Sequence, residues 1–463
     1  MEFDDTITRI AEYTVAAGAD DLSESIVAGL VRHHLDSIGC AIGGFHAPVA
    51  RAAVEIAASA HAESGASVLG VAHRTTPEYA AFANATLIRF LDFNDGYLAN
   101  GGGHTSDIIP AVFAPAEQRD LSGTEFLVAL NVGWEVFGAL ADAVMLRDRG
   151  WDYPFHVGIA ATAAAAKAMD LPVEQVANAL AMYVTGNLPL GITRVGPLSN
   201  WKGVSAPYAT MNGYFAARLA SHGIGGPPNA IEGHRGLWAL ATEPFDLSRL
   251  GQPLDGRFAV ERSDYKIFVA EYNSQGPVGV FVDLHTEGVK PDDIAAVAVR
   301  TYYVSWSEIG GGQDDHDIKW DPQNKETADH SLPYMLAVAL TDGDVTAESY
   351  TDERVRDPAL RPLMQKITVE PDDAITERWM IEPANEMDIT FTNGETRSIR
   401  VPYPKGHHKN PASDDDLVRK YRSQAEPVLG SDQSDALLEA LWALPEAASV
   451  RSLADRYRSL TMS

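Results

Sequence analysis

The 463-residue chain carries 36 Lys and Arg against 64 Asp and Glu, a formal net charge of −28, with 45% hydrophobic and 22% charged residues. That length can bury a large core and sets two or more domains as the expectation, while the charge sets nucleic acid and anionic membrane aside as partners, because such a surface repels polyanions. Cys40 is the single cysteine, which excludes an internal disulfide framework and any zinc site built on several cysteines.

The chain opens on acidic MEFDD, without a basic region or an apolar leader, so no signal peptide is expected. No apolar run reads as long enough to span a bilayer, and a soluble cytoplasmic protein is the expectation. Ile7, Ile10, Ala11, Thr14 and Val15 form one helical stripe. Ile26, Val27, Leu30, Val31, Leu35 and Ile38 form a second, ended by Gly43-Gly44, with Cys40 inside it as a small buried hydrophobe. Tyr79, Phe82, Leu87 and Phe90 predict a helix leading into LDFNDGYLANGGGHTSDIIP at 91–110. That segment gathers Asp92, Asp95, His104, Ser106 and Asp107 around three glycines, which allow close backbone approach. A carboxylate and an imidazole brought together by a Gly-rich loop are the parts of a general acid–base site; the plainer reading is a polar surface loop with a helix-capping Asp.

Further helices are predicted over Phe126–Met145, Ile159–Met169, Val173–Tyr183 and Tyr208–Leu219, all rich in small residues. Near Asp264 the pattern changes. Ala295–Trp306 alternates like a strand, Lys366–Val369 is a short strand, and Met387–Val401 holds two alternating runs joined by Asn393-Gly394, a hairpin signal. Helical patterning returns with Leu437, Leu438, Leu441 and Leu444. The fold class is therefore mainly α: a helical domain over 1–263, a smaller α/β domain over 264–403, and C-terminal helices over 404–463 that rejoin the helical part.

Four other segments carry chemistry-bearing groups: DYPFHVG at 152–158, RVGPLSNWKG at 194–203, YKIFVAEYNSQ at 265–275 and WDPQNKETADHSLPY at 320–334. Arg and Lys beside aromatic residues in loops suit carboxylate clamping, although a lone Lys in a loop is more often a solvated charge and a histidine placed like His156 is more often a hydrogen-bonded core imidazole than a catalyst. His33-His34 and His407-His408 are adjacent pairs whose side chains are expected to diverge, so no metal site is read from them. The GIGGPP run at 223–228 lacks a strand–turn–helix context and is read as a loop.

Taken in order, LDFND and GHTSD, RVGPLSNWKG, IEGHRGL at 231–237, YKIFVAEYNSQ, KWDPQNKETADHSLPY at 319–334 and GHHKNPASDDDL at 406–417 resemble the MmgE/PrpD family over nearly the whole chain, nearest to its 2-methylcitrate dehydratase branch. The resemblance implies a helical domain with a smaller α/β lid, an active site between them, a homodimer, and no metal or organic cofactor. It places the catalytic residues at Asp92, His104, Lys202 and Lys266, and a basic residue at Arg194. Arg194, His156, Tyr153, Gln275 and Asp95 complete the candidate substrate-binding set. The chain departs from the family pattern at Gly96, Thr105, Tyr153, Gly158 and Asn273, and His156 is expected to replace the imidazole missing at Tyr153.

The expected activity is dehydration of a small polycarboxylate such as 2-methylcitrate. Asp92 and His104 would divide the acid and base roles, and the lysines and Arg194 would bind carboxylates and stabilise enolate charge. Lys202 is expected to face Lys266 from the helical side. Epimerisation or decarboxylation of a related polycarboxylate, such as iminodisuccinate or cis-aconitate, uses the same parts, and a non-catalytic binding protein is the third alternative.

Overall fold

The computed structural model describes residues 2–146, 149–195, 198–312 and 314–462. Gly196 and Pro197 of the RVGPLSNWKG segment lie outside the described residues. The protein is mainly α-helical, as the residue patterns predict, with a small α/β portion. It divides into two compact units. The first comprises residues 1–191, 203–263 and 413–463; the second comprises 192–202 and 264–412. Two boundaries thus differ from the expected ones: the segment carrying Arg194 and Lys202 belongs to the second unit, and that unit runs on through the GHHKNP turn.

In the first unit, α1 (Asp5–Ala16), α2 (Glu24–Gly43) and α3 (Pro77–Arg89) precede the Gly-rich segment. Local chemistry fixes their starts. The Asp4 carboxylate accepts the Ile7 N–H, Ser23 accepts that of Ile26, and Pro77 occupies the first turn of α3. The predicted stripe of α1 is buried except for Val15. On α3 the core face is made by Ala80, Ala83 and Leu87, while Tyr79 is exposed.

After the Gly-rich segment come α4 (Ile109–Arg119), α5 (Gly123–Ala143), α6 (Pro154–Ala168), α7 (Val173–Gly186) and α8 (Ser205–Ser221). The expectation about apolar runs is corrected here. The 21-residue α5 is long and apolar enough to cross a membrane, but 83% of its most apolar stretch is buried within the protein, as in a core helix. Helices α6 and α8 pack closely because both present small residues. A Cβ added at Gly213 of α8 would lie 2.7 Å from the Gly158 carbonyl of α6.

In the second unit, β1 (Ile294–Thr301) is flanked by β2 (Ile367–Pro371), parallel to it, and β3 (Asn385–Phe391), antiparallel; β4 (Thr396–Val401) adds to β3, giving the order β2-β1-β3-β4. Val297, Val299 and Thr301 form the buried face of β1, as their alternation predicts. The strand is shorter than expected, because Tyr303–Ile309 is helical. The β3–β4 turn contains Gly394 at φ +87°, the left-handed backbone that the Asn-Gly pair supplies. Helices α9 (Gln275–Thr286) and α10 (Leu332–Asp342) also belong to this unit. The chain ends in α11 (Asp414–Leu429), α12 (Ser431–Trp442) and α13 (Arg451–Ser459) of the first unit. There Lys420 of α11 pairs with the buried Asp36 of α2 at 2.6 Å.

Candidate active site

The first unit builds an acid–base constellation at the end of α3. Arg89, in the last turn, lies 2.8 Å from the Asp92 carboxylate, with only 2% and 3% of the two side chains exposed. Asp92 adopts φ +56°, a left-handed conformation that Asp tolerates better than most residues. That single residue reverses the chain back toward Arg89. Burial works against the Arg89 charge, but Asp92, Tyr153 and Asp107 hold the guanidinium well above its ordinary pKa.

His104 lies on the far side of the glycine run, with Nε2 3.7 Å from the same Asp92 oxygen. Its Nδ1 is 2.5 Å from the Asp95 backbone carbonyl. A carbonyl can only accept, so Nδ1 carries a proton and Nε2 is the atom available for proton transfer. The glycines are required for this arrangement. A Cβ at Gly103 would lie 2.2 Å from the Tyr153 ring, and one at Gly101 would lie 2.4 Å from that of His156.

A buried network surrounds the pair. The Tyr153 hydroxyl accepts from Arg89 Nε at 3.1 Å and donates to Asp107 at 3.2 Å, and its ring meets that of His104 edge-on at 5.4 Å. Asn94 donates to Ser106 and Asp107. The Asp95 carboxylate is fully buried and accepts from the Ser106 N–H at 3.1 Å and hydroxyl at 2.6 Å; burial pushes its pKa up to about 7, with Ser106 opposing. Asp95 therefore holds the loop, and through its carbonyl His104, instead of binding substrate directly as the sequence reading had it.

His156 is corrected as well. It is fully enclosed in the helical unit, donates Nδ1–H to the Gly101 carbonyl at 3.1 Å, and packs edge-on against Phe137. Burial lowers its pKa to about 4, so it is neutral and supports the loop from behind. The departure at Gly158 has a visible counterpart. A Cβ there would lie 1.8 Å from the Tyr183 hydroxyl, whose ring fills the space a longer residue would need.

The second unit builds a cationic constellation. Lys202 Nζ lies 2.6 Å from Asp329 and 3.0 Å from His330 Nδ1, and Lys325 reaches the other Asp329 oxygen at 2.8 Å. Asp329 is fully buried. Burial alone would raise its pKa, yet the two ammonium groups and His330 hold it well below the usual carboxylate range. Arg194 donates to the Lys202 carbonyl at 3.2 Å. Lys202 thus shares a unit with Lys266, contrary to the expectation that it projects from the helical domain.

Lys266 is 1% exposed. The loop that carries it is pinned by Gln275, whose Oε1 accepts the N–H groups of Ile267 and Phe268 and whose Nε2 donates to the carbonyls of Phe268 and Ala270. These four bonds occupy the amide, so Gln275 positions the Lys266 loop and is not a substrate ligand. Asn273, the remaining departure, accepts from the Tyr302 hydroxyl and donates to Glu271 at 2.9 Å.

His407 and His408 do not diverge as expected. Their rings stack at 4.1 Å and both face Asp264, at 4.0 Å and 2.9 Å. The hydrogen bonds still argue against a metal there. His407 Nδ1 accepts the Lys409 N–H, which leaves the proton on Nε2, and His408 directs Nδ1–H at the carboxylate. The ring atoms nearest Asp264 are donors, where a cation needs lone pairs.

Sequence reasoning missed Arg89, Lys325, Asp329, His330 and the Asp264 cluster. The spacing of Lys325 and Asp329, one helical turn apart, was the available signal for part of this.

Comparison with known proteins matches residues 8–250 to the MmgE/PrpD N-terminal domain and residues 268–444 to the MmgE/PrpD C-terminal domain. A mitochondrial 2-methylcitrate dehydratase of Yarrowia lipolytica is 29% identical over 419 residues, covering 85% of this chain and 77% of that protein. The 2-methylcitrate dehydratase of Escherichia coli K12 is 28% identical over 432 residues, covering 88% and 86%. A cis-aconitate decarboxylase of Mus musculus is 26% identical over 443 residues, covering 90% and 86%.

Proposed function

The chain belongs to the MmgE/PrpD family, and from that premise we propose that it is a carbon–oxygen lyase that dehydrates a small hydroxy-polycarboxylate of the 2-methylcitrate type. The observation that carries this reading is His104: one ring nitrogen is fixed on the Asp95 carbonyl and the other is directed at Asp92. A base so prepared can take a carbon-bound proton next to a carboxylate. The electron pair of that bond becomes the new double bond, the carbon–oxygen bond breaks, and the hydroxyl leaves as water once protonated.

The substrate's carboxylates call for cations in a chain of net charge −28. Lys202, Lys266 and Arg194 supply them, and their charge stabilises the enolate that develops on proton loss. The scheme needs no metal or organic cofactor. We take the working form as a homodimer, which light scattering tests.

The activity test incubates the purified protein with 2-methylcitrate, citrate, cis-aconitate and iminodisuccinate and follows each by NMR in deuterated buffer. Loss of water from a hydroxy-polycarboxylate supports the reading. Carbon dioxide release from cis-aconitate or inversion of iminodisuccinate without water loss replaces it, and no turnover of any of the four overturns it. Lys266→Ala should raise KM and lower kcat on whichever substrate turns over.

A further inference from the structure

The C-terminal half of α5 makes one wall of a cavity of about 370 Å³ that the proposed reaction does not use. That volume lies in the usual range of small-molecule sites. Its lining belongs entirely to the first unit. Glu135 of α5 is part of that lining and is only 4% exposed. Its Oε1 accepts the Ala259 N–H at 2.8 Å, while its Oε2 has no hydrogen bond among the described residues. A buried carboxyl oxygen without a partner is costly, and a donor carried by a ligand would satisfy it.

Other parts of the lining are cationic. Arg249 and Arg257 are exposed, and neither guanidinium has a partner among the described residues. Two turns hold them in place. Leu254 and Arg257 exchange N–H to carbonyl bonds of 2.9 Å and 3.1 Å across Asp255 and Gly256, at φ +52° and +76°, and the Arg249 carbonyl accepts the Gln252 N–H at 2.8 Å. The remaining acids of the lining are already engaged. Asp142 pairs with Arg262 at 2.6 Å, and Asp246 accepts the Ser248 N–H at 2.8 Å. A buried acceptor together with two unpaired guanidinium groups suits a ligand with a cationic donor at one end and a carboxylate at the other.

The same wall holds the loop that carries His104. Tyr97 lines the cavity, its hydroxyl donates to Asp142 at 3.3 Å, and the Arg262 guanidinium lies over its ring at 5.0 Å. The Tyr97 backbone exchanges two hydrogen bonds, of 2.8 Å and 3.2 Å, with Gly103, the residue before His104. From α5 the Ala141 carbonyl accepts the Gly101 N–H at 2.8 Å, and the Asp142 carbonyl accepts the Asn100 amide at 2.9 Å.

We propose that this cavity is an effector site for a small amino acid, whose ammonium group donates to Glu135 and whose carboxylate is clamped by Arg249 and Arg257, and that its occupancy is felt at His104 through Tyr97 and Gly103.

Calorimetric titration of the full-length protein with L-alanine and L-glutamate tests the site, with propionate and ethylamine as probes that each keep one end of the ligand. An amino acid should bind, and the two half-ligands should bind at least about tenfold more weakly, the worth of one hydrogen bond to a charged group. Arg257→Ala, at an exposed position, and Glu135→Gln, which sets an amide where the ammonium needs a carboxylate, should each weaken binding by at least about tenfold. Amide hydrogen exchange over residues 97–103 should slow by about fivefold or more on binding, the lower end of allosteric coupling, and should not slow in Arg257→Ala. No binding of either amino acid, binding that both variants leave intact, or propionate binding as tightly as L-alanine overturns the site. Binding with unchanged exchange overturns its link to the loop. If none of the four polycarboxylates is turned over, the dehydratase reading fails, and these measurements, which use no substrate, still decide the effector site.

Discussion

His104 Nδ1 lies 2.5 Å from the backbone carbonyl of Asp95, and this one contact decides which face of the imidazole can do chemistry. A side-chain partner could be mutated away; a carbonyl cannot. The tautomer is therefore written into the loop backbone, and the buried Asp95 carboxylate with Ser106 keeps that backbone in place.

His104→Ala should abolish turnover, with a loss of at least about 10²- to 10⁴-fold in kcat. Asp92→Asn should do the same and also destabilise the fold, because it removes the carboxylate 2.8 Å from the buried Arg89. Asn still accepts the φ of +56° that Asp92 adopts. Steady-state kinetics with thermal melts check both parts; near-normal kcat in either variant would move the site elsewhere.

Asp329→Asn should cost about 3–5 kcal/mol of stability, the usual result of breaking a buried ion pair from one side. Lys202, at 3% side-chain exposure, would lose the carboxylate 2.6 Å away. Urea unfolding measures it. A loss below about 1 kcal/mol would mean that water screens these charges as it does on a surface.

Glu135 predicts a pH effect of definite sign. It is 4% exposed, accepts the Ala259 N–H at 2.8 Å, and has its pKa pushed by burial from 4.5 up to about 7. A carboxyl raised in the folded state favours folding while protonated, and that stability is lost as pH rises from the unfolded value through about 7. Glu135→Gln keeps the acceptor for Ala259. It should raise Tm over wild type at about pH 8 and give no gain at about pH 4. Equal shifts at both pH values would contradict the burial argument.

Gly158→Ala should destabilise by about 1–3 kcal/mol through overpacking, as its Cβ would meet the Tyr183 hydroxyl at 1.8 Å. Combined with Tyr183→Leu, the cost should be less than the sum of the two single changes, because the residues share one space. Additive costs in denaturant melts would place the strain elsewhere.

Much of the fold was legible in the sequence. Periodic stripes marked α1 and α2, and Asn393-Gly394 marked the β3–β4 hairpin, because these signals are local. The overlong β1 shows the limit. Tyr302 to Trp306 alternates like a strand, but the Tyr303 N–H is taken by Thr376 and a helix begins there. Asp92 and His104 could be found because the Gly-rich loop sets them near each other in the chain. Arg89 could not, since a cation closing a helix ordinarily faces solvent. Asp264 and His408, 144 residues apart, carry no pattern that links them.

The pairing of Lys420 with Asp36 bears on how the chain is made. Lys420 also donates to the Phe93 carbonyl, 327 positions earlier, at 2.7 Å. While the protein is being synthesised, Asp36 leaves the ribosome long before its counter-ion Lys420. The helix that carries Asp36 must wait for its Lys420 ion pair until the entire second unit has emerged. A nascent chain stopped short of α11 therefore cannot close the helical core, and its apolar faces are left to chaperones.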